Sequence, residues 1–218
     1  MLVTRKEIRE AAQLRGKKIA VNSLAGPAVL SLKIILTALG LDPDKDVGFL
    51  VTGPSVNRLA ALKAGIVDGT PLAPPFTLVA RKAGYNFFEN IPALKDAELP
   101  NAAIITSRKY FYTEPAVAER VIKSMIEGIH FYKTESSKSI AVLKKYMKLE
   151  GVEEMEETYL HYAKLLAEKP YPTVKGIQTI LDWSKRPDAR RASPSQFMEP
   201  KIVEKLDKQG FIDSLYRK

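Results

Sequence analysis

Between Gly16 and Gly84 the chain repeats three times a short apolar run, a loop of small or kinked residues, and a longer amphipathic run. Short apolar runs bounded by turn residues predict buried strands, and the longer runs with helical spacing predict helices. The three predicted strands cover residues 17–22, 46–51 and 67–72. Strands that alternate with helices in this way predict an α/β fold with an open, mostly parallel sheet.

The pattern changes after the third unit. Two further strands are predicted at 86–90 and 102–106, the second of them buried, and from about Arg108 the strand pattern ends. The first ten residues are charged and helix-prone. We therefore divide the chain into a leading segment, 1–13, an α/β lobe, 14–106, and a helical segment, 107–218.

The helical segment contains five or six amphipathic helices and no strand of its own. They are predicted at 115–133, 137–147, 153–167, in a run ending near 184, and as two short helices within 193–218. A helix with an apolar stripe must bury that stripe against another surface. Either these helices pack on one another or a partner covers them, and the second alternative would allow a homo-oligomer.

Composition narrows the class of protein. The chain has 218 residues, of which 45% are hydrophobic and 27% charged, and it contains no cysteine. Disulfides, thiolate catalysis and cysteine-based zinc sites are therefore excluded. No apolar run approaches the roughly 20 residues that a membrane-spanning helix needs, so we expect no stable membrane insertion. The first residues contain no apolar signal segment.

The net charge of +9 arises from 34 basic and 25 acidic residues. The basic residues are spread along the chain, and no aromatic residues are interleaved with them in a stacking pattern. We expect a solvated basic surface and no nucleic-acid binding.

Candidate binding residues stand where the predicted strands end. Open α/β sheets bind ligands outside the carboxyl ends of their strands, where helix amino termini present unpaired N–H groups. Free amides and hydroxyls there suit a carboxylate, a sulfonate or an amide oxygen. The candidates are Asn22, Ser23 and Gly26 at the first junction, Gly53, Pro54 and Ser55 at the second, and Pro74, Pro75 and Phe76 at the third.

Each candidate also has a purely structural interpretation. Ser23 could only cap its turn and Gly26 only relieve it, with Pro27 opening the helix. Ser55 could likewise only cap a helix, and Phe76 could belong to the core. A tenth candidate, Tyr171, stands between two prolines and could be either an aromatic wall of a binding site or a loop anchor.

No catalytic set accompanies these residues. His130 and His161 both fall on predicted helices of the second half, with no nucleophile or ligand set beside them. The acidic run from Glu153 to Glu157 suits a helix amino terminus, and a metal site would need ligands from other elements. We expect no metal and no cofactor. No isolated Asp or Arg marks a predicted strand end, so the charge of a ligand stays open.

Four segments in order resemble the solute-binding proteins of ABC importers, in the NMT1-like group that takes nitrate, sulfonates, taurine and thiamine-pyrimidine precursors. They are LRGKKIAV at 14–21, LGLDPDKDV at 39–47, LAALKAGIVDG at 59–69, and TSRKYF at 106–111 followed by Glu114 and Pro115. The resemblance covers about residues 14–134 well and the later helices loosely.

The resemblance implies a type II periplasmic-binding-protein fold with two lobes and a ligand held in the cleft between them. It implies a small anionic or aromatic solute, an ABC transporter permease as partner, and an extracytoplasmic or periplasmic location. Family members have a further βαβ-rich segment before the position of Leu14. We therefore expect the first lobe to lack its amino-terminal part, with the helical segment as its remainder.

Two other functions share this architecture. A thiamine-pyrimidine biosynthesis enzyme of the same fold would be expected to carry histidines in the cleft, and the α/β half contains none. An effector-sensing domain of a LysR-type regulator would follow an amino-terminal helix-turn-helix, for which thirteen leading residues are too few. A binding protein is the function that the sequence favours.

Overall fold

The computed structural model describes residues 1–94, 97–100, 102–147, 151–184 and 186–217. These residues form two compact units, Met1–Leu99 and Pro100–Lys218. The first unit has the strands β1 (Leu2–Thr4), β2 (Lys17–Val21), β3 (Val47–Val51), β4 (Gly69–Pro71) and β5 (Asn86–Phe88). Its helices are α1 (Pro27–Ala38), α2 (Ser55–Lys63) and α3 (Phe76–Lys82).

The five strands form one open sheet in the order β3-β2-β4-β1-β5. Strand β2 pairs in parallel with β3 and with β4, whereas β1 is antiparallel to both β4 and β5. Four of the five strands therefore run in one direction, which confirms the predicted mostly parallel sheet. The chain passes from β2 outward to β3 and then returns to β4 on the other side of β2, so the strand order reverses at β2.

Helices cover both faces of this sheet. Successive strand residues point to opposite faces, and Ile19 and Ala20 accordingly belong to different apolar clusters. The Ile19 cluster includes Val29, Leu32 and Leu36 of α1. The Ala20 cluster includes Leu59, Ala61 and Leu62 of α2 and Ala80 of α3. The central strands are thus buried on both sides, as parallel strands usually are.

The amino terminus forms a strand, although its sequence is helix-prone. Leu2, Val3 and Thr4 form β1 and are completely buried inside the sheet, paired with β4 and β5. The charged residues start only at Arg5, after the strand has ended. Pairing with residues 65 to 86 positions away outweighs the local helical preference, because burial and cross-strand contacts stabilise a strand more than propensity does.

The buried strand predicted at 102–106 is also wrong. These residues form no regular element, and they are exposed, with Ile105 89% accessible to solvent. The second unit has no strand among its described residues with which the segment could pair. An apolar run predicts a strand only where a sheet edge is available.

The second unit is helical, as predicted. Its helices are α4 (Arg108–Thr113), α5 (Pro115–Thr134), α6 (Ser136–Met147), α7 (Val152–Leu165), α8 (Val174–Trp183), α9 (Lys201–Lys208) and α10 (Phe211–Tyr216). Ile126 of α5 packs with Val203, Leu206 and Ile212 of the last two helices. Helices of this unit therefore pack on one another. In the described parts of the chain, no helix combines the length and the apolarity needed to cross a membrane.

Candidate functional site

The three predicted junctions meet at one edge of the first unit. Strands β3, β2 and β4 are adjacent and parallel, so their carboxyl ends lie side by side. The amide of Thr52, just after β3, donates to the carbonyl of Val21 at the end of β2 at 3.0 Å. The hydroxyl of Thr70 in β4 donates to the carbonyl of Ala20 at 3.1 Å. We call residues 22–27, 52–55 and 72–76 the strand-end surface.

The first turn presents a helix amino terminus. Asn22 is exposed, and the half-buried Ser23 donates its hydroxyl to the carbonyl of Ala25. Gly26 precedes α1 with a φ of 97°, in the region that favours glycine, and no side chain caps the helix. The first N–H groups of α1 therefore have no acceptor within their own helix. Ser23 stabilises the turn, and the free amides of α1 remain available to a ligand.

The second turn presents another amino terminus beside the first. Gly53 has a φ of 87°, and Pro54 occupies the position before α2 without a capping side chain. Ser55 is the first residue of α2, and its hydroxyl accepts a hydrogen bond from the guanidinium of Arg58 at 2.6 Å. Ser55 therefore does not cap the helix, and it instead positions a cation.

The third turn is apolar. Pro74 and Pro75 are buried and joined by a cis peptide bond. Phe76, the first residue of α3, is half-buried and packs against the cluster that contains Leu59 and Leu72. This turn lies next to the two amino termini, and Phe76 has the contacts of a core residue. A contact of these three residues with a ligand stays a prediction.

Tyr171 lies in the second unit, before α8. Its hydroxyl donates to Asp207 Oδ2 at 2.8 Å. The ammonium of Lys169 bridges Asp207 and Asp213 at 2.7 and 2.9 Å. The Tyr171 hydroxyl thus belongs to a network within its own unit, whereas the nine other candidates lie at the strand-end surface.

Asp207→Asn is expected to lower the pKa of Tyr171 towards its ordinary value of about 10. The hydrogen bond to Asp207 raises this pKa because it stabilises the protonated phenol, and the negative charges of Asp207 and Glu204 act in the same direction. The ¹³Cζ resonance of Tyr171, followed through an alkaline pH titration, measures the effect. Asp182→Asn is the matched control, because among the described residues Asp182 accepts from Gln178 and from no tyrosine. An unchanged pKa in Asp207→Asn would contradict the observed contact.

One cation beside the strand-end surface was not predicted from the sequence, namely Arg58, whose guanidinium contacts Ser55. Arg58 is only 7% exposed, and in the described structure its guanidinium has Ser55 as its one hydrogen-bond partner. Its Nε and the hydroxyl of Thr52 are buried without an acceptor or donor in the described residues. The signal was present in the sequence, since Arg58 stands three and four positions before the buried Ala61 and Leu62 on the inner face of α2.

The two histidines lie apart from this surface, in the second unit. His130 is half-buried against the ring of Tyr216, with 4.8 Å between the ring centroids, and His161 is exposed beside Tyr162. Neither imidazole forms a hydrogen bond within the described structure. Groups of three or more metal-ligating side chains are likewise not found among the residues that the structure describes.

Solved structures share this fold. A protein of Bordetella bronchiseptica RB50 superposes with a TM-score of 0.77 at 14% identity, over 95% of this chain and 70% of that one. The periplasmic aliphatic sulphonate binding protein SsuA from Escherichia coli superposes with a TM-score of 0.62 at 19% identity, over 93% of this chain and 63% of that one. The alkanesulfonate-binding protein SsuA from Xanthomonas axonopodis pv. citri, bound to MOPS, superposes with a TM-score of 0.60 at 19% identity, over 92% of this chain and 68% of that one.

The fold is therefore that of the periplasmic binding proteins, and the chain spans between 63% and 70% of the length of these three structures. The sequence profile of the NMT1-like family matches residues 4–144, which is more than half of the chain. The chain belongs to the NMT1-like family. No curated protein sequence matches it significantly.

Proposed function

We propose that this chain binds a small solute at its strand-end surface for delivery to the permease of an ABC importer. The observation that carries the proposal is the meeting of three parallel strand ends and two uncapped helix amino termini at one edge of an NMT1-like chain. Such an edge offers fixed N–H donors without further rearrangement.

The solute is an anionic or aromatic molecule, such as a sulfonate, a nitrate-like anion or a pyrimidine. Amides at helix amino termini favour negatively charged oxygens. The part of Phe76 that is exposed beside them favours an apolar body attached to the polar group. Sulfonate binding by the two SsuA proteins agrees with this class. The proposed location is the periplasm or another extracytoplasmic space.

The contacts at the site favour binding of the solute without a chemical reaction. A nucleophilic serine needs an adjacent base that accepts its proton. Ser23 donates to a backbone carbonyl, and Ser55 accepts from a cation. Neither contact activates a hydroxyl, so we propose that the solute leaves the protein unchanged.

Thermal-shift titration with a panel of solutes tests the proposal. The panel contains taurine, alkanesulfonates, nitrate, benzoate and the hydroxymethylpyrimidine of thiamine, with dimethyl sulfone as an uncharged control. A ligand at 100 times its dissociation constant adds about 2.7 kcal/mol to the free energy of unfolding, so binding is readily detected. We expect at least one compound to stabilise the protein and to be recovered unchanged by NMR. Failure of every compound would contradict solute binding, and conversion of one would contradict binding without chemistry.

A further inference from the structure

Arg58 places a positive charge at the amino terminus of α2. It is the fourth residue of that helix, and helical side chains lean towards the amino terminus of their helix. Its Nη2 donates to the hydroxyl of Ser55, the first residue of the same helix, at 2.6 Å. The guanidinium therefore lies at the edge of the first unit where β2, β3 and β4 end.

The charge of Arg58 is not neutralised within the described structure. No described carboxylate forms an ion pair with it, its Nε is buried without an acceptor, and the buried hydroxyl of Thr52 also lacks a partner. Burial lowers the pKa of Arg58, and no acidic group in the described part of the chain offsets that effect. Arginine nevertheless stays protonated in proteins at neutral pH. The site therefore holds a buried cation with unused donors.

Two arginines of the first unit, in contrast, are paired with carboxylates. Arg15 pairs with Asp46 at 2.5 Å, and Arg81 pairs with Glu89 at 2.7 Å. Arg15 precedes β2 and so lies at the opposite edge of the sheet. A buried charge without a counter-charge is costly, so an unpaired one is a candidate for a group that a ligand neutralises. Arg58 is such a charge, next to two helix amino termini that favour the same sign of ligand.

We propose that Arg58 is the charge anchor of the strand-end surface and that the ligand binds through an oxyanion, either a sulfonate or a carboxylate. The oxygens of the anion accept hydrogen bonds from the guanidinium and from the first amides of α2, and the Thr52 hydroxyl donates a further one. A guanidinium offers parallel N–H donors that match two oxygens of one group. This inference rests on the proposed function and narrows its solute from anionic or aromatic compounds to oxyanions.

The test follows the Arg58 side chain directly. Methanesulfonate and acetate are titrated separately into ¹⁵N-labelled protein, and the Nε–Hε resonance of Arg58 is recorded, with dimethyl sulfone as the uncharged analogue. We expect a saturable shift with at least one of the two anions and none with the sulfone. The tighter of the two anions identifies the sulfonate or the carboxylate as the preferred group.

Substitutions separate an anchoring role from a structural one. Arg58→Gln is expected to weaken the affinity for the preferred anion about 10- to 100-fold, since it removes charge-assisted hydrogen bonds. Arg58→Lys keeps the positive charge but loses the parallel N–H donors, so its affinity should lie between those of the parent protein and Arg58→Gln. Arg15→Gln, at the opposite edge, should change the affinity less than about twofold. Arg58→Met removes an uncompensated buried charge, so the ligand-free protein should melt at the same or a higher temperature.

Each alternative outcome overturns the inference. The first is an Arg58 resonance that shifts with neither anion. The second is an Arg58→Gln variant that binds the anions as tightly as the parent protein. The third is an Arg58→Met variant that is destabilised while Arg58→Gln retains its affinity for the anion. A panel compound that binds Arg58→Gln and the parent equally would reject Arg58 as the anchor and leave solute binding in place. If no compound of either set binds the parent protein, both proposals fail.

Discussion

Replacement of Ile19 by alanine is expected to lower the free energy of unfolding of the first unit by about 2–5 kcal/mol. Ile19 lies in β2, the strand between β3 and β4, and it is completely buried with Leu14 and Leu32 around it. The substitution removes three carbon atoms from a site enclosed by α1 and the sheet, so it loses apolar burial and leaves a cavity. Hydrogen exchange of the β2 amides measures the effect, because these amides exchange only when the sheet opens.

Ile66→Ala is the matched control for this substitution. Ile66 belongs to the same unit, but 59% of its surface is exposed. Exposed substitutions of this kind usually change stability by no more than about 0.5 kcal/mol. Equal losses in the two variants would contradict the assignment of β2 to the centre of the core.

Ile126→Ala is expected to destabilise the second unit by a similar amount, about 2–5 kcal/mol. Ile126 of α5 is fully buried and contacts Val203, Leu206 and Ile212. These contacts join α5 to α9 and α10, so their loss weakens the packing of three helices at once. Trp183 is the one tryptophan of the chain and lies in this unit, and its fluorescence in a urea titration reports the transition.

The control for Ile126→Ala is Ile105→Ala, which also tests whether Ile105 is buried, as the sequence predicts, or exposed, as in the structure. Ile105 was predicted to lie in a buried strand, whereas the structure leaves 89% of its surface exposed. Ile105→Ala should therefore change the urea midpoint very little. A loss as large as that of Ile126→Ala would contradict the exposed position of Ile105.

Local patterns were enough to predict the α/β half. The runs that became β2, β3 and β4 are each followed by a turn and a helix with an apolar face, and the three units follow one another without interruption. Each signal lies within a few residues of the element that it specifies. The carboxyl edge of the sheet, and with it nine candidate residues, followed from the direction of the strands alone.

Long-range pairing was the main part that could not be predicted. Leu2–Thr4 form a three-residue strand whose partners lie at 69–71 and 86–88. Nothing within a three-residue segment indicates such partners, and the charged residues that follow it resemble a helix start. The segment at 102–106 failed in the opposite way, because its apolar pattern is that of a strand but no described strand pairs with it.

Arg58 shows why the proposed charge anchor could not be predicted from the strand ends. This charged residue does not stand at a strand end, because it belongs to the first turn of α2, beyond the junction itself. A long side chain reaches back past its own helix turn, so position in the sequence differs from position in the site. Reading α2 as a helical wheel would have placed Arg58 beside Ala61 and Leu62, on the buried face.

Amide mapping tests the location of the site most directly. Two-dimensional ¹H–¹⁵N spectra are recorded while methanesulfonate, and then the tightest-binding compound of the solute panel, is added to the protein. The expected result is that the largest shifts fall on amides of 22–29, 52–58 and 72–77, at the carboxyl ends of β2, β3 and β4. Shifts centred on Gly16, Asp46 and Asp68 at the other edge of the sheet, or confined to the second unit, would contradict a binding site at the strand-end surface.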